Sequence, residues 1–180
     1  MLRTSLLIVA LLLCLSFHSR AQNLPGIGVG AEFGLPSGNF TNLSAIGLGV
    51  TVKADFPISN NMAIIVNGGF MNFFGKRNRL INVPDLTYLP AKTGLKYYLS
   101  EGFYAEAQAG AAFPLNDGQR TVFVWSPGLG NQFKLQGKNK LDLGIRYEAW
   151  MGKNDTSVVL QNSTNTKGFV GLRFAYIFVL

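Results

Sequence analysis

Cysteine and histidine are almost missing from this chain: Cys14 and His18 are its only examples, and both lie near the N-terminus. Residues 1–21 read as a secretory leader, with Arg3 as the positive start, an apolar run over residues 6–15, and Ser19, Arg20 and Ala21 as a small-x-small cleavage pattern. Cys14 follows Leu13 rather than a small residue, and the apolar run continues past it, so it reads as part of the leader and not as a lipidation site. The expected mature chain, residues 22–180, therefore has neither a thiol nor an imidazole. Disulfides, thiol nucleophiles, Ser-His-Asp hydrolysis and His-bearing metal sites are excluded. No close pair of carboxylates stands out for acid–base work, so no enzyme, cofactor or metal is expected.

Charge is scarce as well. Asp, Glu, Lys and Arg make up 14% of the chain, against roughly 25% in soluble domains, and the deficit implies that much of the surface is not in water. Long apolar runs are also absent. The leader's run falls short of the roughly 20 residues a helix needs to cross a bilayer, and no later stretch of that length is free of charges or breakers. Without Arg3 and Arg20, 14 basic residues face 9 acidic ones, a net charge of +5 that suits anionic lipid head groups. The basic residues are not clustered as in a nucleic-acid binder.

What the chain has in quantity is alternation. Residues 168–180 place Val170, Leu172, Phe174, Tyr176, Phe178 and Leu180 on one parity, with Gly171, Arg173, Ala175, Ile177 and Val179 on the other. The same period of two predicts strands over residues 26–34, 45–56, 62–74, 87–99, 102–113, 122–135 and 140–151, for eight in all. Pro127 falls inside the sixth, and a bulge or a shorter strand starting after it is the expected accommodation. The intervening segments alternate between long and short, the rhythm of an up-and-down antiparallel barrel with external loops and tight periplasmic turns.

Alternation alone does not separate a membrane barrel from a soluble one, since each has an apolar and a polar face. The polar face here is rich in glycine with isolated charges of both signs, which suits a cramped interior better than a solvated exterior. Those charges are Glu32, Lys53, Asp55, Lys92, Lys96, Glu106, Asp142, Arg146, Glu148 and Arg173. A Lys or Arg facing lipid near the midplane costs about 2–4 kcal/mol, so the set is expected to point inward and pair. An ion or proton path is the functional alternative. The aromatics Tyr97, Phe103, Phe113, Tyr147, Phe174, Tyr176 and Phe178 fit girdles at head-group depth.

These residues resemble the small outer-membrane β-barrels of Gram-negative bacteria, the eight-stranded OmpA/OmpX-like kind, over the whole mature chain. Gly171, Phe174, Tyr176 and Phe178 are similar to the terminal signal read by the barrel-assembly machinery, although this chain runs on to Val179 and Leu180. Residues 26–34, followed by Leu35, Pro36, Ser37, Gly38, Asn39 and Phe40, resemble the first strand and loop of such barrels. The resemblance implies an integral transmembrane β-barrel in the outer membrane, contact with lipid and lipopolysaccharide, and a structural or surface-interaction role through external loops.

Two alternatives remain at this level: a narrow pore for small solutes or ions, and a soluble secreted barrel carrying an apolar ligand. Lys76, Arg77 and Arg79 form a basic loop cluster suited to lipopolysaccharide phosphates, or are simply a solvated loop tip. The Asn-x-Ser/Thr patterns at Asn39, Asn42, Asn154 and Asn162 read as polar loop composition. Gly26, Gly28 and Gly30 sit inside an alternating strand with no helix after it, which excludes a phosphate loop. Val158 to Leu160, inside the longest loop, are expected to extend a hairpin above the membrane.

Overall fold

A computed structural model describes residues 24–78, 81–116, 119–135, 137–152 and 166–180; residues 1–21, expected to be a leader, Arg79 and Val158 to Leu160 lie outside the described residues. Eight antiparallel strands close into one barrel: β1 (Gly26–Ser37), β2 (Ser44–Pro57), β3 (Met62–Gly75), β4 (Leu86–Tyr98), β5 (Phe103–Pro114), β6 (Val122–Lys134), β7 (Lys140–Met151) and β8 (Thr166–Val179). Each strand pairs with its sequence neighbours, and β1 closes on β8 in an unbroken register from Gly26 opposite Val179 to Ser37 opposite Gly168. Closure leaves no free strand edge in the barrel wall, as a bilayer demands of a sheet.

The parity read from the sequence is the parity of the wall. Ile27, Val29, Phe33, Val50, Val52, Leu95, Phe174 and Phe178 are exposed on the outside, while Glu32, Lys53, Lys92, Lys96, Arg146 and Arg173 are buried inside. At one end, short turns join β2 to β3, β4 to β5 and β6 to β7, and both chain ends of the barrel lie there. At the other end are the longer connections. One carries a 3-10 turn, Gly38–Asn42, and another a two-rung ladder pairing Arg77 with Asn82 and Asn78 with Ile81. Gly75 N–H donates to Asp85 Oδ1 (2.9 Å) and Asn116 Nδ2 to the Asp85 carbonyl (2.7 Å), tying two of these connections together.

Pro127 is accommodated differently from the sequence expectation. β6 runs through it with neither a bulge nor a late start: Trp125 pairs with Ala149 and Gly128 with Arg146 in one register, and only the two intervening rungs are missing. A proline lacks the N–H for one ladder bond, so the cost falls on a single seam while the β5 side, with Pro127 opposite Ala107, stays paired. Pro90 repeats the device in β4. There Gly68 pairs with Ala91 and Met71 with Tyr88, with the rungs between them absent and no shift of register.

Glycines inside the wall make room for large rings. A Cβ on Gly130 would lie 2.3 Å from the Tyr104 hydroxyl, and one on Gly47 would lie 2.5 Å from the Phe73 ring. The small-against-large matching fills an interior too narrow for side chains on every strand.

Candidate functional site: the barrel interior

The interior holds two stacked layers. Toward the turn end and through the middle, five buried cations (Lys53, Lys92, Lys96, Arg146, Arg173) face five inward anions, of which Glu32, Asp55, Asp142 and Glu148 are buried and Glu106 is partly so. Each sits on the inward parity of its strand, so opposite charges meet across the interior, mostly from strands that do not pair with each other; among these interstrand pairs Arg173 of β8 and Asp142 of β7 are the exception. Arg146 forks onto both oxygens of Glu32 and donates through Nε to Glu148 (2.9 Å). Lys92 reaches the same Glu148 at 2.5 Å. Lys53 bridges Glu106 (2.9 Å) and Asp142 (3.4 Å), Arg173 pairs with Asp142, and Lys96 meets Asp55 at 2.5 Å.

Neutral polar groups complete this lattice. Tyr104 donates its hydroxyl to Asp142 (2.6 Å), Gln108 donates to Glu106 (2.7 Å), and Asn67 donates to Gln108 (3.2 Å). The ammonium of Lys96 lies 4.4 Å from the centre of the Tyr104 ring. A buried charge is tolerable only when paired and hydrogen-bonded, and this arrangement meets that condition with no net charge.

Above it, at the loop end, the interior turns aromatic. Phe73 contacts Phe40, Phe169 and Trp150 with ring centres 4.9, 4.8 and 5.5 Å apart, and Tyr88 lies 4.8 Å from Trp150. All five are about 1% exposed or less. Phe40 comes from the 3-10 turn of the first long connection and closes the mouth from above. Trp150 links the layers, because its indole N–H donates to Glu148 Oε1 (2.7 Å). Sequence reading did not single out this aromatic layer. Trp150, Phe73 and Phe169 do share the inward parity of their strands, a usable signal, whereas Phe40 lies outside any periodic segment.

The remaining residues marked in the sequence, Gly171 excepted, lie apart from this interior. Tyr97, Phe103, Tyr176 and Phe178 are exposed near the turn end, Phe113 and Tyr147 near the loop end, and Phe174 toward the middle of the wall. Gly171 faces inward on β8, with its position for a Cβ 3.3 Å from the Arg146 side chain. Lys76 is exposed in the connection after β3, where its N–H donates to the Leu43 carbonyl (3.0 Å), and Arg77 follows it in the short ladder. Among the described residues no group of His, Cys, Asp and Glu is placed to hold a metal ion.

A closed eight-stranded wall, apolar outside and filled within, defines a transmembrane β-barrel. The family model of the outer membrane protein beta-barrel domain matches residues 7–178, and the chain belongs to that family. No curated protein matches the sequence.

Among solved structures, the chain is similar to the crystal structure of Ail, the attachment invasion locus protein of Yersinia pestis, with 20% identity and a TM-score of 0.53, covering 87% of this chain and 100% of that one. The backbone structure of Ail in a phospholipid bilayer nanodisc gives 15% identity and a TM-score of 0.55, over 87% and 100% of the two chains. Neisserial surface protein A gives 15% identity and a TM-score of 0.56, over 86% and 96%. At these identities the likeness concerns the fold.

Proposed function

We propose that the protein is a non-enzymatic integral barrel of the outer membrane that acts through the surface it presents and not through its interior. In this reading residues 1–21 direct export, residues 22–180 form the barrel domain, and Gly171, Phe174, Tyr176 and Phe178 serve as the signal for the barrel-assembly machinery. The observation that carries it is the double closure of the interior, a neutral ion-pair lattice capped by Phe40, Phe73, Tyr88, Trp150 and Phe169. Passage of solutes would require breaking buried pairs that each cost several kcal/mol to separate.

With the charges of the interior balanced, the net positive charge of the chain belongs to residues outside that lattice. Lys76 and Arg77 on the loop side, with Arg79 in the same sequence cluster, suit lipopolysaccharide phosphates, which supports a partner surface there. Planar-bilayer recordings on the refolded barrel test the reading. Electrical silence is the expected result. Discrete steps that vanish in Lys96→Met or Arg146→Met would replace it with the narrow-pore reading. Recovery in the outer-membrane fraction with heat-dependent mobility in SDS gels tests location, and recovery as soluble protein would favour the carrier alternative.

A further inference from the structure

The turn end of the barrel is not closed like the loop end. It opens into a cavity of about 500 Å³ lined by Asn60, Asn61, Tyr98, Asn131, Gln132 and Lys140, with Lys134 and the backbone around Gly102 at its rim. Its floor is Gln132, which is 6% exposed and whose side chain makes only long hydrogen bonds: Tyr98 Oη to Gln132 Oε1 at 3.4 Å, Lys140 Nζ to the same oxygen at 3.5 Å, and Gln132 Nε2 to Asp55 Oδ2 at 3.4 Å. Ordinary bonds of these kinds run about 2.7–3.2 Å, so the floor keeps unspent hydrogen-bonding capacity. Behind it, Asp55 Oδ1 is buried with no hydrogen-bond partner.

The charges here are also unbalanced. Lys134 is held by Glu101 at 2.7 Å, whereas Lys140 has no carboxylate in ion-pair range among the described residues. The cavity therefore offers one unneutralised ammonium above a ring of amides that both donate and accept, beside the apolar faces of Leu99 and Phe133. Its volume is in the range of small-ligand sites, about 300–1,000 Å³.

We infer that this vestibule binds a short peptide through its free C-terminal carboxylate, with Lys140 taking the carboxylate and Asn61, Asn131 and Gln132 the peptide groups. A carboxylate suits a single ammonium, and the mixed donors and acceptors of the amide ring match a peptide better than a fully anionic phosphate, which calls for donors alone. The assignment rests on the outer-membrane reading above, which turns this end toward the periplasm.

The test uses the full mature barrel, isotope-labelled and reconstituted in lipid nanodiscs, titrated with N-acetyl-tri-alanine bearing either a free or an amidated C-terminus, and with inorganic phosphate. The expected result is amide shift changes confined to Asn61, Gly102, Asn131, Gln132 and Lys140. Affinity should fall about tenfold on amidation or in Lys140→Gln, and less than about twofold in Lys134→Gln. An inserted barrel that shows no shifts, binds both peptides equally, or binds phosphate as well as the free peptide would overturn the inference and leave the outer-membrane reading intact. Failure to co-purify with lipid would overturn both.

Discussion

The two layers of the interior close the same tube by different physics. In the ionic layer each group is committed to a partner on another strand, as Arg146 of β7 is to Glu32 of β1 and Lys96 of β4 is to Asp55 of β2. In the aromatic layer Phe73 has three ring neighbours and depends on none of them for charge or hydrogen bonds. Removing an ionic group strands a charge in a medium that cannot solvate it, and removing part of a ring forfeits only contact area. The ionic layer should therefore be brittle and specific, and the aromatic layer graded and forgiving.

The sharpest way to break this contrast is Arg146→Met, which leaves Glu32 without its fork and Glu148 with only Lys92 and Trp150. Urea unfolding in lipid vesicles should show a loss of about 3–5 kcal/mol. A loss below about 1 kcal/mol would mean that water enters the lattice freely, and the contrast would fail. Next in size is the pair Lys96 and Asp55. Lys96→Met alone should cost about 3 kcal/mol, and adding Asp55→Leu should return most of it, because an apolar pair leaves no buried charge behind. A double variant as weak as the single one would show that both charges serve neighbours beyond each other.

The contrast also explains what was legible beforehand. Lipid and interior select opposite chemistry at alternate positions, so the face of Lys53 against Val52, or Arg173 against Phe174, could be read from parity alone, and the eight strands with it. Which cation meets which anion depends on strand stagger across the interior, and period-two patterning carries no such information. Phe40 was hidden because a 3-10 turn has no alternation to betray a buried face. The accommodation of Pro127 was misjudged because a bulge is only one answer to a missing N–H. Dropping two rungs on one seam keeps every side chain on its face, which a bulge would not have done. The short ladder of Arg77 and Asn78 with Ile81 and Asn82 is too brief for any period to appear.

A smaller effect is expected in the aromatic layer. Phe73→Leu keeps most of the volume and all of the charges and should cost about 1 kcal/mol in the same unfolding assay, with conductance still silent. A loss as large as that of Arg146→Met would show that the aromatic layer holds the ionic one in place, through Trp150 and its bond to Glu148.

The smallest effect isolates the role of burial, because Lys134 and Glu101 form the same kind of contact, at 2.7 Å, with side chains 72% and 88% exposed. The hydrogen bond and charge of Lys134 hold the Glu101 carboxyl below its ordinary value. A lowered acid contributes stability above its unfolded pKa and loses it as pH falls through the folded one, so any contribution should fade only on the acid side. Solvent and salt screen a pair this exposed. Glu101→Gln should therefore give unfolding curves superimposable on those of the parent at neutral pH. A measurable destabilisation there would mean that ion-pair geometry, and not burial, sets the brittleness assigned to the interior lattice.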